Sequence, residues 1–206
     1  MKKKSSVIKN TVVMLAVTFV AVLALAVVNQ VTRGPIEQAE INARAEVYKV
    51  VYADASGFAE IENSDSVLEN SAAVLEKEGF KGCVINDALA VTGSSGDIQG
   101  YVIAATSPQG YGGDVQVAVG ITKDGVIKGV SVVANSETAG IGSKCTEPEF
   151  TNQFANKNAE ILEYTKSGAS ADNQIDAMSG ATISTNAVTE AVNTAIVFYN
   201  SQLKGE

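Results

Sequence analysis

The chain has 206 residues, a formal net charge of −8, 46% hydrophobic side chains and no histidine. Without histidine there is no Ser-His-Asp arrangement and no use of the commonest zinc ligand, so any chemistry must come from a cofactor or from oxygen groups. All 23 acidic residues lie after residue 31, where 11 basic residues leave a balance of −12, while Lys2, Lys3, Lys4 and Lys9 make the first segment +4; so acidic a body is a poor match for nucleic acid, whose phosphates call for clustered Lys and Arg.

Residues 11–31 read TVVMLAVTFVAVLALAVVNQV without a charge. A run of that length and apolarity predicts a transmembrane helix, preceded by a cytoplasmic tail over residues 1–10. The Lys-rich start and Ala24-Leu25-Ala26 also suit a cleaved signal, but the apolar stretch exceeds a usual signal core, which favours a retained single span. Four lysines before it and Arg33 after it place the N-terminus in the cytoplasm, and residues 32–206 are expected to form one extracytoplasmic domain.

Beyond Pro35, residues 37 to about 51 mix Ala, Glu, Arg and apolar residues at helical spacing, and residues 64–78 repeat that pattern up to Gly79. The turn cluster Thr92 to Asp97 then opens a strand-rich stretch. Ile98–Ala105 is compactly apolar; Val115, Val117, Val119 and Ile121 alternate; so do Val126, Val130 and Val132. Lys123-Asp124-Gly125 between the last two predicts a hairpin turn, and the whole an antiparallel meander with one buried face. At the C-terminal end Ile183, Ala187, Val188, Ala191, Val192, Ala195, Ile196 and Phe198 form the apolar stripe of a helix, with Glu190, Asn193 and Asn200 off it. One block of strands flanked by helices predicts an α+β domain, with its functional core over about 92–203. Cys83 and Cys145 are too few and too far apart in sequence to suggest a cluster or zinc site; one disulfide and two buried thiols both remain open.

The stretch with most chemistry is Asp176-Ala177-Met178-Ser179-Gly180-Ala181-Thr182-Ile183-Ser184-Thr185, directly before that helix. Gly180 and small neighbours let backbone approach a ligand, and a helix N-terminus favours a phosphate through unpaired N–H groups and the positive end of its dipole. Read alone, the segment is better described as an ordinary loop with its cap among Ser184, Thr185 and Asn186. It is joined by Gly110-Tyr111-Gly112-Gly113, the Asp124-Gly125 hairpin and Glu137-Thr138-Ala139-Gly140-Ile141-Gly142.

These landmarks, in this order and behind one N-terminal helix, resemble the FMN-binding G subunit of Rnf electron-transport complexes and, more distantly, the C subunit of the sodium-translocating NADH:quinone oxidoreductase. The resemblance implies a covalent FMN phosphoester on the last Thr of Ser179-Gly180-Ala181-Thr182, attached from FAD by a separate flavin transferase. It implies that Asp176 positions the Thr182 hydroxyl or a metal held by the transferase, a turn or capping acid being the alternative. It also implies that Glu137, Thr138, Gly140, Ile141 and Gly142 lie near the flavin, the two glycines allowing close packing on a planar ring. Ala139, Ile141 and Asn135 depart from the residues usual in that loop. For Gly110–Gly113, a tight strand connection is the better reading. The implied activity is electron relay within a ferredoxin:NAD oxidoreductase coupled to sodium or proton translocation, with the other proteins of the complex as partners. A lone span without a central charge offers no ion path of its own. Rival readings are the quinone oxidoreductase component, a stand-alone flavoprotein and, from another class, a cofactor-free extracytoplasmic binding domain.

Overall fold

The computed structural model describes residues 10–23, 25 and 48–205, and the chain divides into two compact units, Met1–Ala43 and Arg44–Glu206. In the first, residues 10–23 form helix α1, and apolar side chains such as Met14, Leu15 and Phe19 are exposed along it. Among the described residues no helix is long and apolar enough to cross a membrane. The expected span over 11–31 runs past α1 into residues 24 and 26–31, which lie outside the described residues. Most of the helix expected over 37–51 lies outside them too. Its described end is a turn, with the Val51 N–H donating to the Tyr48 carbonyl at 3.0 Å, three residues back rather than four.

The second unit is built on a five-stranded antiparallel sheet: β1 (Gly57–Glu60), β2 (Val84–Thr92), β3 (Ile98–Ser107), β4 (Val115–Thr122) and β5 (Ile127–Asn135), lying side by side in chain order. From β2 to β5 successive antiparallel connections give that order, because each returns the chain beside the strand it has just left. Helix α2 (Ser64–Lys77) connects β1 to β2 and ends where the Phe80 N–H donates to the Leu75 carbonyl at 2.8 Å, so that Phe80 folds back onto the core. Between β5 and the C-terminal helix come the short helix α3 (Pro148–Thr151) and a parallel ribbon of β6 (Glu163–Thr165) and β7 (Gln174–Asp176). The long C-terminal helix α4 (Thr182–Phe198) lies over β3 and β4, its Ala187, Val188, Ala191, Val192 and Ala195 packed against Ile103, Ala105, Val117, Val119 and Ile121. An antiparallel sheet with flanking helices is the α+β class the sequence predicts.

Three features differ from that expectation. The turn cluster at 92–97 joins β2 to β3 and does not open the sheet, since β1 and β2 precede it. In β5, Ile127 rather than Val126 is buried with Val130: Ile121 pairs with Ile127 and Gly120 with Gly129, so Lys128 is an extra residue that shifts the inside–outside phase. The sheet also buries its second face. Leu89, Val91, Val102, Ala104 and Ala118 form a smaller core there with Tyr48, Val51 and Tyr52.

Glycines on three neighbouring strands make room for that segment. A Cβ on Gly120 would stand 2.4 Å from the Val51 carbonyl oxygen, one on Gly129 would stand 3.1 Å from the same atom, and one on Gly100 would meet the Tyr52 ring at 3.0 Å. Gly120→Ala is therefore expected to destabilise the domain by about 1–3 kcal/mol, because backbone must shift to admit the methyl group. Thermal unfolding of the variant checks this, and an unchanged midpoint would mean that Val51 does not press on the sheet.

Candidate functional site

The last turn before α4 decides where the site lies. The Ala181 N–H donates to the Met178 carbonyl at 3.1 Å, closing a turn in which Gly180 takes φ +78°, a backbone conformation that side chains with a Cβ resist. The chain then enters the helix at once, with Ala181 as N-cap and Thr182 as first residue, and no side chain caps it. The cap expected among Ser184, Thr185 and Asn186 is thus corrected: those residues sit inside the helix. The Thr185 hydroxyl donates to the Ala181 carbonyl at 2.9 Å and accepts the Met178 N–H at 3.1 Å, and Ser184 turns toward Glu137. The first N–H groups of α4 have no partner within the helix and no capping oxygen, which leaves them for a ligand.

Opposite Thr182 stands the 137–142 loop, a second tight turn with Gly140 at φ +80° and the Ile141 N–H donating to the Thr138 carbonyl at 3.3 Å. A third wall comes from Gly110–Gly113 between β3 and β4. The three enclose a groove of about 520 Å³. Its lining brings together Glu137, Thr138, Ile141, Gly142, Gly180, Ala181 and Thr182 of the residues the sequence singles out, and adds Tyr111, Ile183 and Ser184. Volume does not set this groove apart, since one between α2 and α4 measures about 460 Å³ and one beside Asp176 about 520 Å³. Its walls do. Tyr111, Ile141 and Ile183 are 71%, 53% and 52% exposed, three large apolar side chains held at the rim of one cleft with an uncapped helix N-terminus in its floor. Ile183 belongs to the predicted apolar stripe of α4, yet it faces the groove and not the core.

Glu137 is the centre of the polar part. Its Oε1 accepts the Tyr111 N–H at 2.8 Å, its Oε2 accepts the Ser184 hydroxyl at 2.6 Å, and its own N–H donates to Asn135 Oδ1 at 3.1 Å. Both carboxylate oxygens are engaged by the protein. Gly142, read from sequence as room for a planar ring, has a different neighbour: a Cβ there would stand 2.4 Å from Glu137 Oε2 and 2.7 Å from Ser184 Oγ. In the Gly110–Gly113 turn a Cβ on Gly112 would come within 1.8 Å of the Ser136 carbonyl oxygen, so the turn is a close-packed strand connection and part of the groove wall at once.

Asp176 and Ser179 line the neighbouring groove, with Lys144, Glu147 and Gln153. The Asp176 carboxylate accepts the Ala169 N–H at 2.6 Å, and its own N–H donates to Gln153 Oε1 at 2.7 Å. The carboxylate thus ties Ala169 to the end of β7. Gly140 shapes the 137–142 loop without lining the groove.

Cys83 and Cys145 are both free and buried, which resolves the open choice in favour of two thiols. Cys145 lies beside the site; burial first, and then the negative Glu137, push its thiol up to about 11. It is protonated at neutral pH and inert as a nucleophile. No group of three or more His, Cys, Asp and Glu side chains among the described residues is arranged to hold a metal ion.

Residues 110–197 match the family described as FMN-binding domain, and residues 1–51 match the RnfG N-terminal region. The G subunit of the Na(+)-translocating ferredoxin:NAD(+) oxidoreductase complex of Acetobacterium woodii is 30% identical over 201 residues, covering 96% of this chain and 94% of the relative. The G subunit of the ion-translocating oxidoreductase complex of Methanosarcina acetivorans is 30% identical over 203 residues, 98% of this chain and 99% of that one. Among solved structures, NqrC of Shewanella oneidensis has 25% sequence identity and a TM-score of 0.47, covering 56% of this chain and 59% of that one.

Proposed function

Because this chain belongs to the RnfG family, the G subunits of ion-translocating oxidoreductase complexes, we propose that it is the complex's membrane-tethered FMN carrier, with the flavin phosphate bonded to Thr182. It works as a redox component and not as a complete enzyme, and the other proteins of the complex are its partners. The observation that carries the reading is the groove itself. Its apolar rim of Tyr111, Ile141 and Ile183 suits a flat conjugated ring, and its floor offers α4's unpaired N–H groups to a phosphate beside a half-buried threonine.

FMN held there supplies reversible uptake and release of electrons, and a carrier that cannot dissociate keeps those electrons within the complex. The chain's own contribution is placement and shielding. Thr182 contributes the attachment oxygen at the first position of α4, where the helix dipole favours the negative phosphate. Tyr111, Ile141 and Ile183, which line the groove, would shield a bound ring from water. Attachment from FAD by a separate flavin transferase would bond the Thr182 oxygen to the FMN phosphorus, with the pyrophosphate bond broken, AMP released and the threonine proton passed to a base of the transferase. Ser184 and Thr185 are poor rivals as acceptors: both are buried, and both hydroxyls already donate, to Glu137 and to the Ala181 carbonyl.

Residues 11–31 form the single span in this reading, with the N-terminal lysines cytoplasmic and the flavin domain outside. Two experiments test it. The chain produced beside a flavin transferase should purify yellow, bleach on chemical reduction and recover its colour in air; a colourless product would remove the flavin. Protease added to cells stripped of wall or outer membrane should digest the domain and spare the lysines. Protection of the domain would reverse the orientation.

A further inference from the structure

We propose that Glu137 is a positioning residue, whose carboxylate ties the Gly110–Gly113 turn and the first turn of α4 to the 137–142 loop and so fixes the spacing between Tyr111 and Thr182 across the groove. Three observations carry this. Its two oxygens are shared between two different elements, Oε1 taking the Tyr111 N–H at 2.8 Å and Oε2 the Ser184 hydroxyl at 2.6 Å. Each oxygen also has a glycine beside it: a Cβ on Gly142 would stand 2.4 Å from Oε2, and a Cβ on Gly110 would stand 2.1 Å from the Gly113 carbonyl oxygen and 2.7 Å from Oε1. A side chain at either position would crowd the carboxylate. Finally, Tyr111 is mostly exposed at the rim, so its ring is not fixed by burial, and the bond to its N–H is a polar tie between that wall and Glu137.

The role differs from that of a flavin ligand. A carboxylate that already accepts from both sides has its geometry set before any cofactor arrives. Its charge is also replaceable in principle. In Glu137→Gln the amide oxygen can still accept the Tyr111 N–H, and the amide nitrogen can donate to the Ser184 oxygen, because a hydroxyl accepts as readily as it donates. Glu137→Ala removes both links, and Gly142→Ala forces the carboxylate and Ser184 apart.

The test uses the full chain in detergent, and part of it needs no flavin, because the proposal rests on the flavin reading only for its consequence. In the flavin-free chain, amide exchange at Tyr111 should speed up by about tenfold in Glu137→Ala, as expected when a hydrogen bond to a charged group is lost, and stay at the wild-type rate in Glu137→Gln. In the flavin-loaded chain, fluorescence of the attached flavin should rise toward that of the unfolded chain in Glu137→Ala and in Gly142→Ala, as Tyr111 and Ile141 leave the ring, and remain quenched in Glu137→Gln. Unchanged Tyr111 exchange in Glu137→Ala, or a Glu137→Gln protein that behaves like the alanine variant, would overturn the proposal. A wild-type chain that takes up no flavin would instead defeat the flavin reading, and the exchange measurement would still decide the tie.

Discussion

Thr182→Ala is expected to give a folded chain that carries no covalent flavin. The hydroxyl stands at the first position of α4, half-buried in the groove, and makes no capping bond that the helix depends on. Removing it should cost well under the roughly 1 kcal/mol typical of a lost N-cap, so the melting transition should stay close to wild type. Attachment, by contrast, should be lost completely, since the neighbouring hydroxyls of Ser184 and Thr185 are buried and bonded elsewhere. In a denaturing gel of chains produced beside the transferase, wild type should fluoresce and Thr182→Ala should be dark, while Ser184→Ala and Thr185→Ala keep their signal. Fluorescence retained by Thr182→Ala would move the attachment point to another residue.

Asn193→Leu is expected to have the largest effect on stability. Asn193 lies buried on α4, and its amide pairs with both backbone groups of Leu162: it accepts the Leu162 N–H at 2.8 Å and donates to the Leu162 carbonyl at 2.9 Å. One side chain thereby docks the segment that leads into β6. Leucine has a similar volume but leaves a buried N–H and a buried carbonyl without partners, at about 1–3 kcal/mol each, so a loss of about 2–6 kcal/mol is expected. Asn193→Asp should be milder, because it keeps an acceptor for the N–H. Chemical denaturation checks the order. A leucine variant as stable as wild type would show that solvent reaches Leu162 and that the docking is superficial.

Asn193 also shows where pattern reading stops. The apolar stripe of α4 marks that helix as core-facing, and seven of its eight stripe residues are buried in the core. The same logic puts Asn193 on a wet face, when in fact another segment of chain covers it and uses its amide as a backbone surrogate. Periodicity tells polar from apolar, and a buried polar residue with two backbone partners has no periodic signature. Helix α2 and the Lys123-Asp124-Gly125 hairpin were legible for the usual reasons, an approximate helical repeat of Val67, Leu68, Ala72, Val74 and Leu75 ending near glycine and an Asp-Gly turn between alternating strands. Strand β2 was not. It reads Val84-Ile85-Asn86-Asp87 at its start, and a bulge at Asn86, opposite no residue of β3, breaks the alternation that would have marked it. The ribbon of β6 and β7 has three residues in each strand, too few for any repeat to emerge.

For the site, two loops and a helix start were each visible as small-residue clusters, and seven of the residues singled out share one groove. Their connection was hidden. Glu137 and Ser184 are 47 residues apart, and neither the carboxylate–hydroxyl bond nor the reason for glycine at 142 can be inferred without the fold that brings them together. The start of α4 was hidden as well, since it begins on Ala181-Thr182 with no capping side chain, and the hydroxyls that look like caps are inside the first turn. The missing cap is part of what makes Thr182 a candidate, for a capping oxygen would already occupy one of the N–H groups that a phosphate would use.

Peptide mass mapping of the wild-type chain produced beside a flavin transferase tests the covalent bond at Thr182 most directly. Cleavage after Lys166 and Lys204 releases a single peptide that holds Ser179, Thr182, Ser184 and Thr185 together, so fragmentation within it separates the candidates. The predicted result is a peptide heavier by FMN less one water, with every fragment that carries the extra mass containing Thr182. Flavin mass on Ser184 or Thr185, or an unmodified peptide from a yellow preparation, would contradict the assignment.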